Sequence, residues 1–252
     1  MKKQILILIL GVLPTFAFAS GGGVHLESAP IDISDMESVK RGAKHFIDYC
    51  FSCHEASYMR YNRIARDTGM TDAELREELI FTTNEKDEPT KVGSLMKVAM
   101  TKDYAKKVFG TAVPDLTLTA RSRGADWVYT YLRSFYIDPY RPTGMNNLVF
   151  PDVGMPNVLW ELQGIQEPVI TTVKDHADGT EHKVVKLELV EPGLQSPKEF
   201  DRTVRDLVNF LDYMGEPAKY ERRHLGTKVL IFLLVLLVLA VLLKREYWKD
   251  IH

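Results

Sequence analysis

Residues 50–54 read Cys-Phe-Ser-Cys-His, and they hold both cysteines of a 252-residue chain. Any covalent cross-link in this fold therefore passes through that pentapeptide. Two thiols three apart with an imidazole directly after them suit a zinc site, a thiol redox pair, a small disulfide loop or the attachment of a porphyrin. A structural zinc site needs four ligands, mostly Cys and His. The other histidines (His25, His45, His176, His182, His224 and His252) form no second pair with zinc-like spacing. A thioredoxin-like pair needs a βαβ setting. The flank here is helical instead: Met36, Val39, Ala43, Phe46, Ile47, Cys50 and Cys53 recur at three- and four-residue steps. A Cys50–Cys53 disulfide would close a very small loop, stabilise little and leave His54 without a role.

Cys-x-x-Cys-His is the attachment signature of c-type haem. Two thiols one helical turn apart add to the vinyl groups of one porphyrin edge, and His54 follows as the ligand below the ring. One covalent haem c is the reading, with a second axial ligand to be found elsewhere, usually Met or His. Of the nine methionines, Met59, Met96, Met100 and Met214 fall on helical patterns that suit a core. Met145 and Met155 fall in a Pro-, Gly- and Asn-rich stretch. Gly154 before and Pro156 after favour Met155 for a close, fixed backbone, with Met145 as the alternative.

The two ends set the surroundings. "MKKQILILILGVLPTFAFAS" has a basic start, a short apolar run and a small-x-small site ending at Ala19, the pattern of a secretory signal peptide. Leu225 to Leu243 carries one charge, Lys228, and about 20 apolar residues span a bilayer core. Basic residues flank both ends of that run, so the positive-inside rule does not orient it; the signal peptide does. The expected division is 1–19 signal peptide, 20–224 exported haem domain, 225–243 transmembrane helix and 244–252 cytoplasmic tail. A net charge of −2 argues against a nucleic-acid partner.

Within the body, "TDAE" at 71–74 is a capping box, and Ser94 reads as the cap of a helix toward Gly110. Trp127, Val128, Tyr131, Leu132 and Phe135 form one helical stripe ending before Pro139. Residues 139–168 read as one long loop. "VITTV" and "KVVKLELV" around Asp178 and Gly179 predict a hairpin. Ser196, Pro197 and Glu199 open a further helix with the stripe Phe200, Val204, Leu207, Leu211 and Met214.

With these residues in view, the chain resembles the cytochrome c1 family, the membrane-anchored haem subunits of the quinol–cytochrome c reductase (bc1) complex. "RGAKHFIDYCFSCHEASYMRYNRIARD" is similar to the family's haem-binding segment. "VPDLTLTARSRGADWVYTYLRSFY" is similar to its "PPDLS…AR" stretch and the following helix, and "FPDVGMPNVL" to its axial-ligand segment. The resemblance implies a mainly α c-type cytochrome domain with a small β-hairpin, a long haem-covering loop and one C-terminal transmembrane helix. It implies Met155 as the second axial ligand, Arg121 at a haem propionate, Pro114 at the haem edge and Trp127 where many members have a Tyr near a propionate. An indole donates one hydrogen bond and accepts none. It also implies the partners: cytochrome b, the Rieske iron–sulfur protein as electron donor, cytochrome c as acceptor, membrane lipid, and a dimeric complex in a bacterial inner membrane with the haem domain in the periplasm. Some members add a disulfide near the axial Met. This chain has no cysteine left for one, so packing and backbone bonds must hold that loop. A free-standing, membrane-anchored cytochrome c carrier is the alternative. The acidic run Glu85, Asp87 and Glu88 reads as a solvated loop or as an attraction for a basic partner.

Overall fold

The computed structural model describes residues 24–83, 86–174 and 181–250. The expected signal peptide, Glu85 of the acidic run, the hairpin turn at Asp178–Gly179 and the last two residues of the tail lie outside them.

The chain begins its regular structure with α1 (Met36–Tyr49), capped by the Asp35 carboxylate, which accepts a hydrogen bond from the Ser38 amide. Its buried side chains (Val39, Ala43, Phe46 and Ile47) are those of the sequence stripe. Cys50 is its C-cap. There follow β1 (Ala56–Arg60), α2 (Tyr61–Thr68), α3 (Asp72–Glu78), β2 (Leu95–Met96), α4 (Lys102–Phe109), α5 (Thr119–Arg123) and α6 (Ala125–Arg133). Then come β3 (Phe135–Ile137), β4 (Met145–Asn147), α7 (Trp160–Gln163), β5 (Gly164–Lys174), β6 (Glu181–Pro192), α8 (Pro197–Gly215) and α9 (Lys219–Tyr247).

The core is the crossing of α1 and α8. Phe46 meets Phe210 with ring centroids 5.5 Å apart, and Val204, Leu207 and Val208 are fully buried beside them. Gly42 lies at the crossing: a Cβ there would fall 1.9 Å from the Asp206 carbonyl oxygen. Only a hydrogen atom allows so close an approach. Beside it the Asp206 carboxylate accepts bonds from Ser38 Oγ (2.7 Å), Arg41 Nε (2.6 Å) and Arg205 Nη2 (2.7 Å). Burial works against its ionisation, but these donors outweigh it and hold the carboxyl below the usual range.

Several expectations need correction. Ser94 caps no helix: residues 95–96 pair with β1, and α4 starts only at Lys102, where Thr101 Oγ1 accepts from the Tyr104 amide. The capping chemistry was read one Ser/Thr too early. The helix of Trp127 and Tyr131 stops at Arg133, because Phe135 enters β3 and pairs with Asn147 of β4. The stretch 139–168 is not one loop, since it contains β4, α7 and the start of β5. The hairpin is present and its pairing extends beyond the two predicted runs, from Gly164 with Pro192 to Lys174 with Glu181. Gly164 adopts φ +91, and a Cβ there would lie 2.2 Å from the Glu191 carbonyl oxygen.

α9 is the one helix among the described residues long and apolar enough to cross a membrane, and none of its residues is buried. Its 29 residues extend roughly 44 Å at 1.5 Å per residue, more than a hydrocarbon core of about 30 Å. Most of the excess lies at the N-terminal end, where Lys219 pairs with Asp212 of α8 at 2.7 Å and Arg222 with Glu216 at 2.6 Å.

Candidate haem site

The end of α1 sets the first wall. The amides of Cys50 and Phe51 both donate to the Phe46 carbonyl, and those of Cys53 and His54 both donate to the Cys50 carbonyl. The chain thus turns tightly through 50–54 and presents Cys50, Cys53 and His54 to one cleft. Gly154, Met155 and Pro156 line the same cleft, together with Phe109, Val113, Pro114 and Val158. The cleft measures about 120 Å³.

His54 is held for ligation. Its Nδ1 lies 2.8 Å from the Pro114 carbonyl oxygen. That acceptor fixes the proton on Nδ1 and leaves Nε2 free to bind a metal, the arrangement that orients ligating histidines in general. Burial holds the imidazole below its ordinary pKa, against the opposing effects of that carbonyl and of Asp115, so the ring is neutral at pH 7. Asp115 locks the carbonyl in place. Its carboxylate accepts from the Ser57 amide (2.8 Å), from Ser57 Oγ and from the Thr117 amide (2.7 Å), while the Leu116 amide donates to the Glu55 carbonyl at 3.0 Å. Residues 55–57 are thereby zipped to 115–117 on either side of the His54–Pro114 contact.

The thiols of Cys50 and Cys53 are free. Burial, and then the neighbouring Cys53, push the Cys50 thiol up to about 12. Cys50 on its own is therefore not an activated thiolate. Two thiols, one tautomerically fixed imidazole and one thioether around an apolar cleft fit a covalent haem.

Met155 is half-buried in that cleft, and its sulfur accepts a hydrogen bond from the Tyr131 hydroxyl at 3.3 Å. Met145 instead pairs with Ile137 and does not line the cleft. Of the other candidates, Pro114 is at the site through its carbonyl as well as its ring. Trp127 reaches it at one remove, stacked on Tyr131 with centroids 5.0 Å apart. Arg121 is not brought to the cleft. It lies with Arg123 and Trp127 in an adjoining depression, its nearest bond a long one, 3.5 Å, to the Gly215 carbonyl.

Sequence reasoning missed the Asp115 clamp and the Tyr131 contact. Both had signals: Asp115 two residues before Thr117 is an Asx-turn pattern, and Tyr131 carries a polar atom on an otherwise apolar stripe.

A model of the Cytochrome C1 family matches residues 27–251. A protein named Cytochrome c1 from Allochromatium vinosum is 52% identical over 252 residues, covering all of both chains. An "Ammonia monooxygenase gamma subunit" of Nitrosomonas europaea is 46% identical over 252 residues, 99% of this chain and 100% of the relative. A mitochondrial "Cytochrome c1, heme protein" of Neurospora crassa is 26% identical over 235 residues, 85% of this chain and 62% of the relative.

Proposed function

The chain belongs to the cytochrome c1 family, and from that premise we propose that Cys50 and Cys53 tether its single haem c while His54 and Met155 are the axial ligands. As a member, it carries one covalent haem c, is anchored by a C-terminal apolar helix and serves as the electron-transfer subunit of the bc1 oxidoreductase complex. In that role it takes one electron from the Rieske iron–sulfur protein and gives it to cytochrome c. The observation that carries the ligand assignment is His54, its Nδ1 on the Pro114 carbonyl, lining one apolar cleft with Met155.

The haem supplies reversible one-electron chemistry at iron. The chain's residues do the rest. A neutral imidazole and a thioether favour the ferrous state relative to harder ligands. The apolar walls Phe109, Val113 and Val158 exclude water. The Asp115 clamp keeps His54 from rotating between oxidation states, so little reorganisation accompanies transfer. Arg121 and Arg123 supply positive charge beside the cleft for the porphyrin carboxylates, and Trp127 connects that depression to Tyr131. No bond-making takes place on this subunit.

The reading extends to placement. The haem domain stands outside the cytoplasm, the residues after α9 lie inside, and the first 19 residues are removed on export. The complex is dimeric, with cytochrome b and lipid against α9. None of the 29 residues of that helix is buried, so lipid or another subunit must cover its apolar span.

Met155→Leu tests the assignment. It should abolish the weak sulfur–iron absorption in the near infrared and lower the potential, while Met145→Leu leaves both as they were. The reverse result assigns the wrong methionine. A pyridine haemochrome spectrum on the full chain checks the tethers: Cys50→Ala and Cys53→Ala should each lose one thioether signature.

A further inference from the structure

The Tyr131 hydroxyl points at the Met155 sulfur from a ring that has no freedom to turn away. Trp127 stacks on one face, its plane within 9° and its centroid 5.0 Å distant. Phe135 meets the ring edge-on at 5.1 Å and 71°. Arg123 closes the column, its guanidinium carbon 5.1 Å above the Trp127 ring. The backbone of Tyr131 is tied to the same loop: its carbonyl accepts from Asn147 Nδ2 at 2.7 Å. Tyr131 therefore holds the Met155 segment by main chain and side chain together. The contact needs explaining, because a thioether is a weak acceptor and a buried hydroxyl ordinarily finds an oxygen. An aliphatic side chain would fill this stripe without a polar atom to satisfy.

We propose that Tyr131 is a positioning residue for the axial thioether, donating a hydrogen bond that fixes the Met155 sulfur and draws electron density from it. This rests on the reading of Met155 as ligand. A thioether sulfur has two lone pairs: the phenol takes one, and the other remains for iron. Density drawn toward the hydroxyl makes the sulfur a poorer donor, which destabilises the ferric state more than the ferrous. Tyr131 thus sets the resting balance of the site toward reduction. It acts through Met155.

The test uses the solubilised full complex. Tyr131→Phe keeps the ring and its stack and removes only the hydroxyl. Covalent haem content should be unchanged. At an ambient potential fixed at the wild-type midpoint, the ferric-to-ferrous ratio should rise roughly three- to tenfold, the size of one modest hydrogen bond, and the near-infrared sulfur–iron band should move. In a Met155→Leu background, Tyr131→Phe should shift nothing further. A ratio unchanged in Tyr131→Phe, or an equal shift in the Met155→Leu background, overturns the proposal while leaving the ligand reading intact. A near-infrared band that survives Met155→Leu instead overturns the ligand reading, and this proposal with it. Should Tyr131→Phe fail to take up haem, 3-fluorotyrosine at position 131 supplies a stronger donor. The ratio must then move toward ferrous, and no movement refutes the role.

Discussion

Gly42→Ala is the most informative single perturbation of this fold, because two effects of opposite sign meet at one atom. In a helix interior, alanine is favoured over glycine by about 1 kcal/mol. Against that, the new Cβ would lie 1.9 Å from the Asp206 carbonyl oxygen, 2.6 Å from its carbon and 2.8 Å from Phe210 Cβ. A tolerable carbon–oxygen contact is about 3.3 Å, so α1 and α8 must part by roughly 1.4 Å. The obstructing atoms are mostly backbone, so no rotamer change relieves the clash. Overpacking of this kind costs about 1–3 kcal/mol, and rigid neighbours put it at the upper end. The net loss is about 2 kcal/mol once the propensity gain is subtracted. Because Cys50 caps α1, the displacement also carries the haem tethers away from Met155. Urea unfolding of the detergent-solubilised protein, followed at the Soret band, should show a lower midpoint and weakened near-infrared absorption. Gly226→Ala in α9 is the control: nothing lies within 4 Å of its added Cβ, so stability should hold or rise slightly. A Gly42→Ala protein as stable as the wild type would refute the close crossing.

Asp206→Asn leaves Arg41 and Arg205 without their carboxylate at a site only 2% exposed, and should lose about 3 kcal/mol in the same unfolding assay. Acid should act through the same kind of group. The folded carboxyls of Asp206, Asp67 and Asp115 lie below their ordinary values, because hydrogen-bond donors outweigh burial at each. Their stabilisation is complete above the unfolded pKa of about 3.9 and is lost as pH falls through the folded values. The urea midpoint should therefore stay flat from neutrality to about pH 5 and drop below about pH 4. Asp115→Ala should free the Pro114 segment and let His54 rotate, seen as a pH-sensitive low-spin spectrum in a protein that still carries covalent haem. Asn147→Ala removes a fully buried side chain that bonds Ser134, Tyr131, Val149 and Phe150. It should cost about 3 kcal/mol and loosen Met155 before it unfolds the helices.

What the sequence made legible was local. The stripe of α1, the two capping boxes and the Cys-x-x-Cys-His turn each depend on residues within a few positions, and each stands where the periodicity puts it. β1 was hidden because its partner is two residues long and lies about 35 positions further on, across a register shift. The Ser94 error has the same origin: a good cap residue was claimed by a distant strand. Met155 was readable from Gly154 and Pro156, yet its neighbour Tyr131 was not, since helix periodicity says which face a residue takes and not which atom it meets. Arg121 lies in the depression with Trp127 and not in the lining of the cleft. Its position on α5 follows the motif, while the structure turns its side chain toward the end of α8.

The amide side chains answer how a loop without a disulfide holds an axial ligand. Packing and backbone bonds alone were the expectation, but β4, α7 and the segment between them contribute Asn146, Asn147, Asn157 and Gln163 as well. Asn146 Oδ1 accepts from the Asp152 amide at 2.9 Å, and Arg141 grips Asp152 at both its carboxylate (2.7 Å) and its carbonyl (2.8 Å). Gln163 Nε2 donates to the Arg133 carbonyl at 2.8 Å, while its Oε1 accepts from Asn157 Nδ2 at 3.1 Å. Met155 sits between these two anchors, Asp152 before it and Asn157 after it. A disulfide acts mainly on the unfolded chain. This network acts on the folded one, and it converges on the α6–β3 segment that also carries Tyr131. The ligand and the residue that tunes it are therefore fixed to one support, and a change in the loop must move both together.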